Sequence, residues 1–189
     1  MKRVIIVHRW DGSPKDDWYP WLKKELEKRG FKVTIPKMPN SSEPVIEKWV
    51  SYLSKITSTA DKDTYFVGHS IGCQAILRYL ENSGKKIGGA VFVSGWFTLK
   101  GLETDEEKTI AKPWIKTSIN FDRIKGKFFA IFSDNDPFVQ LKKNKEIFET
   151  KLGAKTIIEH NKGHFTDEEG VKEISSVLEA ILRLSAQKK

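Results

Sequence analysis

The chain of 189 residues, 39% hydrophobic and 31% charged, fits one folded domain over 1–189 and excludes an intrinsically disordered protein. Its net charge of +8 comes mostly from lysines interspersed with Glu and Asp, which is typical of a solvated surface, so we expect no nucleic-acid partner. Because Cys73 is the sole cysteine and no apolar run approaches the ~18 residues of a membrane-spanning helix, we expect a cytoplasmic protein without disulfides or a membrane partner.

Six short apolar runs predict β-strands. In chain order they cover residues 4–7, 31–35, 65–67, 90–93, 128–132 and 156–158. Most of these runs are continuous rather than alternating, which is the pattern of strands covered on both faces. The sequence therefore predicts a largely parallel sheet.

Helical patterns lie between the strands. The first begins at Pro20 and ends by Gly30, the second is capped by Ser42, the third follows Ser70, the fourth covers 139–152, and the last follows a capping box of Thr166 with Glu169. Alternating strands and helices with right-handed crossovers predict an α/β fold, a three-layer sandwich around a mostly parallel six-stranded sheet. Residues 94–120 show no strong periodicity, and we expect them to form a small cap and much of a pocket wall.

The segment after the third predicted strand, GHSIG at residues 68–72, fits the pattern Gly-x-Ser-x-Gly. In that pattern the serine occupies a strained turn between a strand and a helix, and the flanking glycines let both elements pack close to the turn. The five-residue pattern is common by chance. Here it follows an apolar strand and opens a helix, and this context predicts that Ser70 is a nucleophile.

A serine hydroxyl needs a base within hydrogen-bond reach, and the base needs an orienting acid. Asp136 and His164 follow later predicted strands, in the chain order Ser, Asp, His that this fold produces. The carboxyl ends of parallel strands meet at one edge of the sheet, where ligands bind. We therefore predict that Asp136 orients His164, and that His164 takes the proton of Ser70.

The tetrahedral intermediate of acyl transfer needs backbone N–H donors for its oxyanion. Ile71, directly after the nucleophile, supplies one of them. The loop after the first strand supplies the other, and we favour Trp10 over Arg9.

The chain resembles the α/β hydrolases, and among them the small serine hydrolases related to retinoblastoma-binding protein 9. The resemblance covers nearly the whole chain and rests on WYPWLKKELE at 18–27, GHSIG at 68–72, KPW at 112–114, DNDPF at 134–138 and KGHF at 162–165. It implies that Ser70, Asp136 and His164 form a catalytic triad. One departure is that many relatives carry His-Gly in the first loop, where this chain has His8-Arg9.

Other interpretations compete with these assignments. Ser70 is also a favourable helix cap, Asp134 competes with Asp136 as the acid, and His160 competes with His164 as the base. Cys73 is expected to be a buried apolar residue. Three tryptophans after strands or in the long loop either line an acyl pocket or pack in the core: Trp10, Trp96 and Trp114. His8 and His69 are expected to pack or to brace loops.

The sequence predicts a serine hydrolase that cleaves a carboxylic ester, or less readily an amide, through an acyl-serine intermediate. The substrate is then a small acyl compound. We expect neither a cofactor nor a metal, since no group of His, Cys, Asp and Glu shows metal-ligand spacing. The alternative is a protein-interaction module that keeps the fold with weak or no turnover, and it is motivated by Arg9.

Overall fold

The six predicted strands form one sheet in the computed structural model, which describes residues 1–186. Their bounds are β1 Arg3–Val7, β2 Lys32–Thr34, β3 Thr64–His69, β4 Gly89–Val93, β5 Phe128–Ser133 and β6 Lys155–Glu159. The order across the sheet is β2-β1-β3-β4-β5-β6, and every neighbouring pair is parallel. The prediction of a mostly parallel six-stranded sheet is confirmed, with all six strands parallel.

Residues 1–186 also form six α-helices and one short 3₁₀-helix, of which the last helix follows β6 and the others lie between strands. The α-helices are α1 Tyr19–Glu27, α2 Ile46–Ile56, α3 Ile71–Ser83, α4 Asp105–Lys116, α5 Leu141–Leu152 and α6 Ser175–Ala186, and the 3₁₀-helix covers Phe121–Arg123. Proline lies in the first turn of α1, as predicted, where its missing N–H has no intrahelical partner to lose.

The helices cover both faces of the sheet and give the predicted three layers. One apolar cluster joins one face of the strands to α2, α3 and α5, and includes Phe66, Trp49 and Phe148. A second cluster joins the other face to α1 and α6, and includes Val67 and Ile181. Consecutive residues of β3 thus enter opposite clusters, because side chains alternate across a strand.

The helices α2 and α5 begin later in the chain than predicted. The helix assigned to a Ser42 cap begins at Ile46, because Pro44 has no N–H to donate and disfavours helical geometry at the residue before it. The helix assigned to 139–152 begins at Leu141. Val139 is held in an antiparallel bridge with Leu99 and cannot join that helix.

The predicted capping box does not open α6. Thr166 and Glu169 stand in a turn that ends at Gly170, and α6 begins only at Ser175. The structure has a capping box at Thr104 with Glu107, which opens α4 inside the stretch 94–120. Sequence periodicity missed α4 because this helix buries only two residues, Ala111 and Trp114.

Candidate active site

The turn between β3 and α3 holds Ser70 in a strained backbone conformation, with φ of 53° and ψ of −120°. Two glycines make this turn possible. A Cβ on Gly72 would lie 2.3 Å from the carbonyl oxygen of Val7, and one on Gly68 would lie 2.8 Å from the backbone of Cys73. Only glycine lets α3 approach β1 and β3 this closely, so the local sequence fixes the position of Ser70 at the edge of the sheet.

Asp136 and His164 form a buried pair at the same edge. His164 Nδ1 lies 2.9 Å from Asp136 Oδ2, which also accepts the Ser94 hydroxyl at 2.7 Å. The other carboxylate oxygen accepts the N–H groups of Phe138 and Val139 at 2.9 and 3.0 Å. Burial opposes ionisation of Asp136, but His164 and these hydrogen bonds outweigh it and hold the pKa of the carboxyl below its ordinary value. The ionised carboxylate therefore keeps the Nδ1–H tautomer of His164 in place.

Ser70 and His164 line one pocket with a volume of about 560 Å³. Within residues 1–186, the hydrogen bond to the Ser70 hydroxyl comes from the indole Nε1–H of Trp96 at 3.3 Å, and none joins Ser70 Oγ to the imidazole. Catalytic hydrogen bonds are often long without substrate and tighten in the substrate complex. The fold thus brings the three predicted side chains to one place, with the serine–imidazole contact still to form.

The loop after β1 places Arg9 and Trp10 in the wall of this pocket. The N–H of Arg9 is taken, because it donates to the Tyr19 hydroxyl at 3.1 Å. The N–H of Trp10 has no acceptor among the hydrogen bonds of the described residues. Ile71 is the first residue of α3, where an N–H has no intrahelical acceptor. These contacts favour Trp10 over Arg9 as the partner of Ile71.

A buried hydrogen-bond chain joins the loop after β1 to the loop that carries His164. His69 Nε2 lies 2.7 Å from the His164 carbonyl oxygen, and a carbonyl only accepts, so Nε2 carries the proton. His69 Nδ1 then accepts the Tyr19 hydroxyl at 2.6 Å, and that hydroxyl accepts the N–H of Arg9. Burial, with a smaller contribution from His164, lowers the pKa of His69 well below its ordinary value. The neutral ring thus braces two loops of the site.

Comparison with known protein families identifies the family of this chain. The family model described as serine hydrolase matches residues 4–183 of this chain. The chain belongs to the serine hydrolase family. The protein YdeN of Bacillus subtilis (strain 168) is 33% identical over 186 residues, covering 95% of this chain and 94% of YdeN. Serine hydrolase RBBP9 of Rattus norvegicus is 27% identical over 174 residues, covering 89% of each chain.

Solved structures confirm the fold of this serine hydrolase. The ydeN gene product from B. subtilis matches with a TM-score of 0.88 at 28% identity, covering 99% of this chain and all of that one. Est1E from Butyrivibrio proteoclasticus, solved with ferulic acid bound, matches with a TM-score of 0.77 at 15% identity, covering 99% of this chain and 90% of Est1E. The predicted α/β-hydrolase fold and the family resemblance are both confirmed.

Arg9 does not leave an unpaired charge at the pocket of this serine hydrolase. Its Nε donates to the buried carboxylate of Asp17 at 2.9 Å. The rest of the charged pocket lining is acidic and consists of Asp11, Glu107, Glu168 and Glu169. The pocket is therefore acidic, although the whole chain carries a net charge of +8.

The tryptophans left open by the sequence divide between pocket and core. Trp10 and Trp96 line the pocket of Ser70. Trp114 is buried in α4, where its ring packs edge-on against Trp49 and its Nε1–H donates to the Pro44 carbonyl at 2.9 Å. Trp114 thus attaches α4 to the segment before α2.

The competing acid and base form a separate pair at the surface. His160 Nδ1 lies 2.6 Å from Asp134 Oδ2, and the His160 side chain is 79% exposed. Asp134 also accepts the N–H of Asn161, so it braces the turn after β6. Cys73 is fully buried and burial raises the pKa of its thiol, which makes it a poor nucleophile.

Sequence reasoning missed two residues that hold the acid and the base. Ser94, directly after β4, donates to Asp136, and its place after a strand was the available signal. Glu169 accepts the backbone N–H of His164 at 2.8 Å and that of Thr166 at 3.0 Å. The Thr166–Glu169 pattern was predicted to cap a helix, whereas it braces the loop of His164.

No group of three or more His, Cys, Asp and Glu residues within residues 1–186 has an arrangement that could hold a metal ion. None of the described helices combines the length and the apolar character needed to cross a bilayer.

Proposed function

We propose that this serine hydrolase cleaves carboxylic esters of small acyl compounds through an acyl-Ser70 intermediate. The observation that carries the proposal is the buried hydrogen bond between Asp136 and His164 Nδ1 in the pocket that Ser70 lines. Because Nδ1–H is held by the carboxylate, Nε2 keeps the lone pair that a general base needs. Ser70 is the nucleophile, His164 the base and Asp136 the orienting acid.

In acylation, Ser70 Oγ forms a bond to the ester carbonyl carbon while its proton passes to His164 Nε2. The carbonyl oxygen becomes an oxyanion that accepts the N–H groups of Ile71 and Trp10. The carbon–oxygen bond to the alcohol then breaks, and the leaving oxygen takes the proton from Nε2.

Deacylation repeats these steps with water as the nucleophile. Water adds to the acyl carbon and gives a proton to His164 Nε2, while the oxyanion returns to the same donors. The bond between the acyl carbon and Ser70 Oγ then breaks, Oγ takes the proton from Nε2, and the carboxylic acid leaves.

The pocket favours uncharged acyl groups of modest size. Its volume of about 560 Å³ lies in the range of small-molecule sites, and apolar residues form part of its wall: Trp10, Trp96, Leu99, Leu102, Pro137 and Phe138. The carboxylates of Asp11, Glu107 and Glu168 in the pocket lining would repel an anionic substrate.

Covalent labelling with a fluorophosphonate tests the nucleophile. We expect one label on the wild-type protein, none on Ser70→Ala, and full labelling of the control Ser54→Ala, which changes an exposed serine of α2. A folded wild-type protein that stays unlabelled while another serine hydrolase reacts would refute the proposal. So would a label that persists on Ser70→Ala.

Chromogenic p-nitrophenyl esters of increasing acyl length, with aminoacyl amides beside them, test the reaction and the substrate class. We expect turnover of neutral esters that Ser70→Ala reduces by several orders of magnitude.

The alternative of an interaction module rested on Arg9, whose guanidinium pairs with Asp17 and leaves the Trp10 N–H free. Recovery of a stable partner together with turnover that does not depend on Ser70 would restore that alternative.

A further inference from the structure

The indole of Trp96 contacts the reacting atom, although it belongs neither to the proposed triad nor to the proposed oxyanion donors. Its Nε1–H donates to Ser70 Oγ at 3.3 Å. The sheet order β1-β3-β4 puts Trp96, which follows β4, on the opposite side of Ser70 from Trp10, which follows β1. Trp96 is therefore placed to act on Oγ itself and not on the substrate oxyanion.

The loop after β4 holds this indole firmly. Trp96 is 1% exposed, and its carbonyl oxygen accepts the side-chain amide of Gln74, on the same helix that starts after Ser70. An added Cβ at Gly95 would lie 2.5 Å from the ring of Phe148 in α5. Only glycine therefore lets the backbone before Trp96 approach α5 this closely. A buried N–H needs an acceptor, and Ser70 Oγ is the one that the structure assigns to it.

The charge on Oγ changes most in deacylation. In the acyl-enzyme Oγ is an ester oxygen, which is a poor hydrogen-bond acceptor. As the bond from the acyl carbon to Oγ breaks, the electron pair goes to Oγ before the proton from His164 Nε2 is fully transferred, and hydrogen bonds to a charged oxygen are stronger than those to a neutral one. An N–H aimed at Oγ thus stabilises the transition state of this step more than the acyl-enzyme before it.

We propose that Trp96 is a further catalytic residue, whose indole N–H stabilises Ser70 Oγ as the leaving group of deacylation. The inference rests on the proposed acyl-Ser70 mechanism. In acylation Oγ accepts the same N–H both as a free hydroxyl and as the attacking atom, so the contact favours neither state strongly. The role of Trp96 is therefore specific to the second half of the reaction.

Stopped-flow kinetics of p-nitrophenyl acetate hydrolysis separate the two halves, since the burst reports acylation and the steady state reports deacylation. We expect Trp96→Phe to keep the burst and kcat/KM within about twofold of wild type, while kcat and KM both fall about tenfold, as for one lost hydrogen bond to a developing charge. Trp114→Phe is the matched control, because it removes an equally buried indole N–H away from Ser70. We expect its kcat to equal that of wild type.

Each contrary result overturns a defined part of the reasoning. If Trp96→Phe lowers kcat/KM and the burst as much as kcat, the indole only shapes the pocket and the proposal is wrong. The same holds if kcat stays at the wild-type value while turnover depends on Ser70. If turnover survives Ser70→Ala, the acyl-Ser70 mechanism fails, and the role of Trp96 fails with it. Circular dichroism of Trp96→Phe verifies the fold, and Trp96→His, which returns a ring N–H, should recover part of kcat.

Discussion

The hydrogen-bond chain from Arg9 through Tyr19 and His69 to the His164 carbonyl predicts an unusually large effect for one missing hydroxyl. Tyr19→Phe keeps the ring but leaves the N–H of Arg9 and Nδ1 of His69 without partners. An unsatisfied buried polar group costs about 1–3 kcal/mol, and water can reach the partly buried Arg9 N–H, so we expect a loss of about 2–4 kcal/mol in the free energy of unfolding.

Urea denaturation at pH 7.5, followed by tryptophan fluorescence, measures this loss, and the melting temperature should fall by about 4–16 °C. Tyr65→Phe is the matched control. Its ring is 4% exposed, and its hydroxyl makes no hydrogen bond within the described part of the chain. We expect it to lose less than about 1 kcal/mol, because removal of its hydroxyl leaves no hydrogen-bond partner unsatisfied. Equal losses of unfolding free energy in the two variants would show that the hydrogen-bond chain through Tyr19 does not stabilise the fold.

Three further predictions concern the same site. Gly72→Ala should lower the melting temperature more than Gly84→Ala, since its Cβ meets the Val7 carbonyl whereas the Gly84 Cβ meets nothing within 4 Å and adds only backbone strain. The pKa of His69 is lower in the folded than in the unfolded chain, so the unfolded chain binds more protons below pH ~6.5. Urea titrations should therefore show the free energy of unfolding falling by up to ~1.4 kcal/mol for each pH unit below that value. The fall should be smaller in His69→Gln. Asp136→Asn should lower kcat for esters by about 10⁴-fold with little change in KM, because the wrong imidazole tautomer is favoured.

Much of the fold follows from features that are local in the sequence. The six strands are visible because each is a short apolar run, and parallel order follows from the helices between them. The turn at Ser70 is visible because only glycine fits at 68 and 72, where the structure finds backbone within 3 Å of an added Cβ. The meeting of Asp136 with His164 follows in turn, because both stand after strands of one parallel sheet.

What could not be predicted depends on contacts between distant loops. Helix α4 is exposed on most of its surface, so its periodicity is weak, and it is fixed instead by the Trp114 hydrogen bond and by Arg78, which donates to carbonyls at its C-terminal end. The Thr166–Glu169 pattern is the same in a helix cap and in a turn, and only the N–H of His164 decides between them. Hydrogen-bond partners on distant loops cannot be identified from the local sequence.

The preference for Trp10 over Arg9 as the candidate oxyanion donor depends on contacts with residues far along the chain. Both N–H groups follow β1, and neither residue type distinguishes them in the sequence. His69 must donate to the His164 carbonyl, which makes its Nδ1 an acceptor, and this requires the Tyr19 hydroxyl to donate to it. The Tyr19 oxygen then accepts the Arg9 N–H, whereas the next N–H, that of Trp10, has no acceptor within residues 1–186. The Arg9 N–H is therefore held in this hydrogen-bond chain, which favours Trp10 as the candidate oxyanion donor.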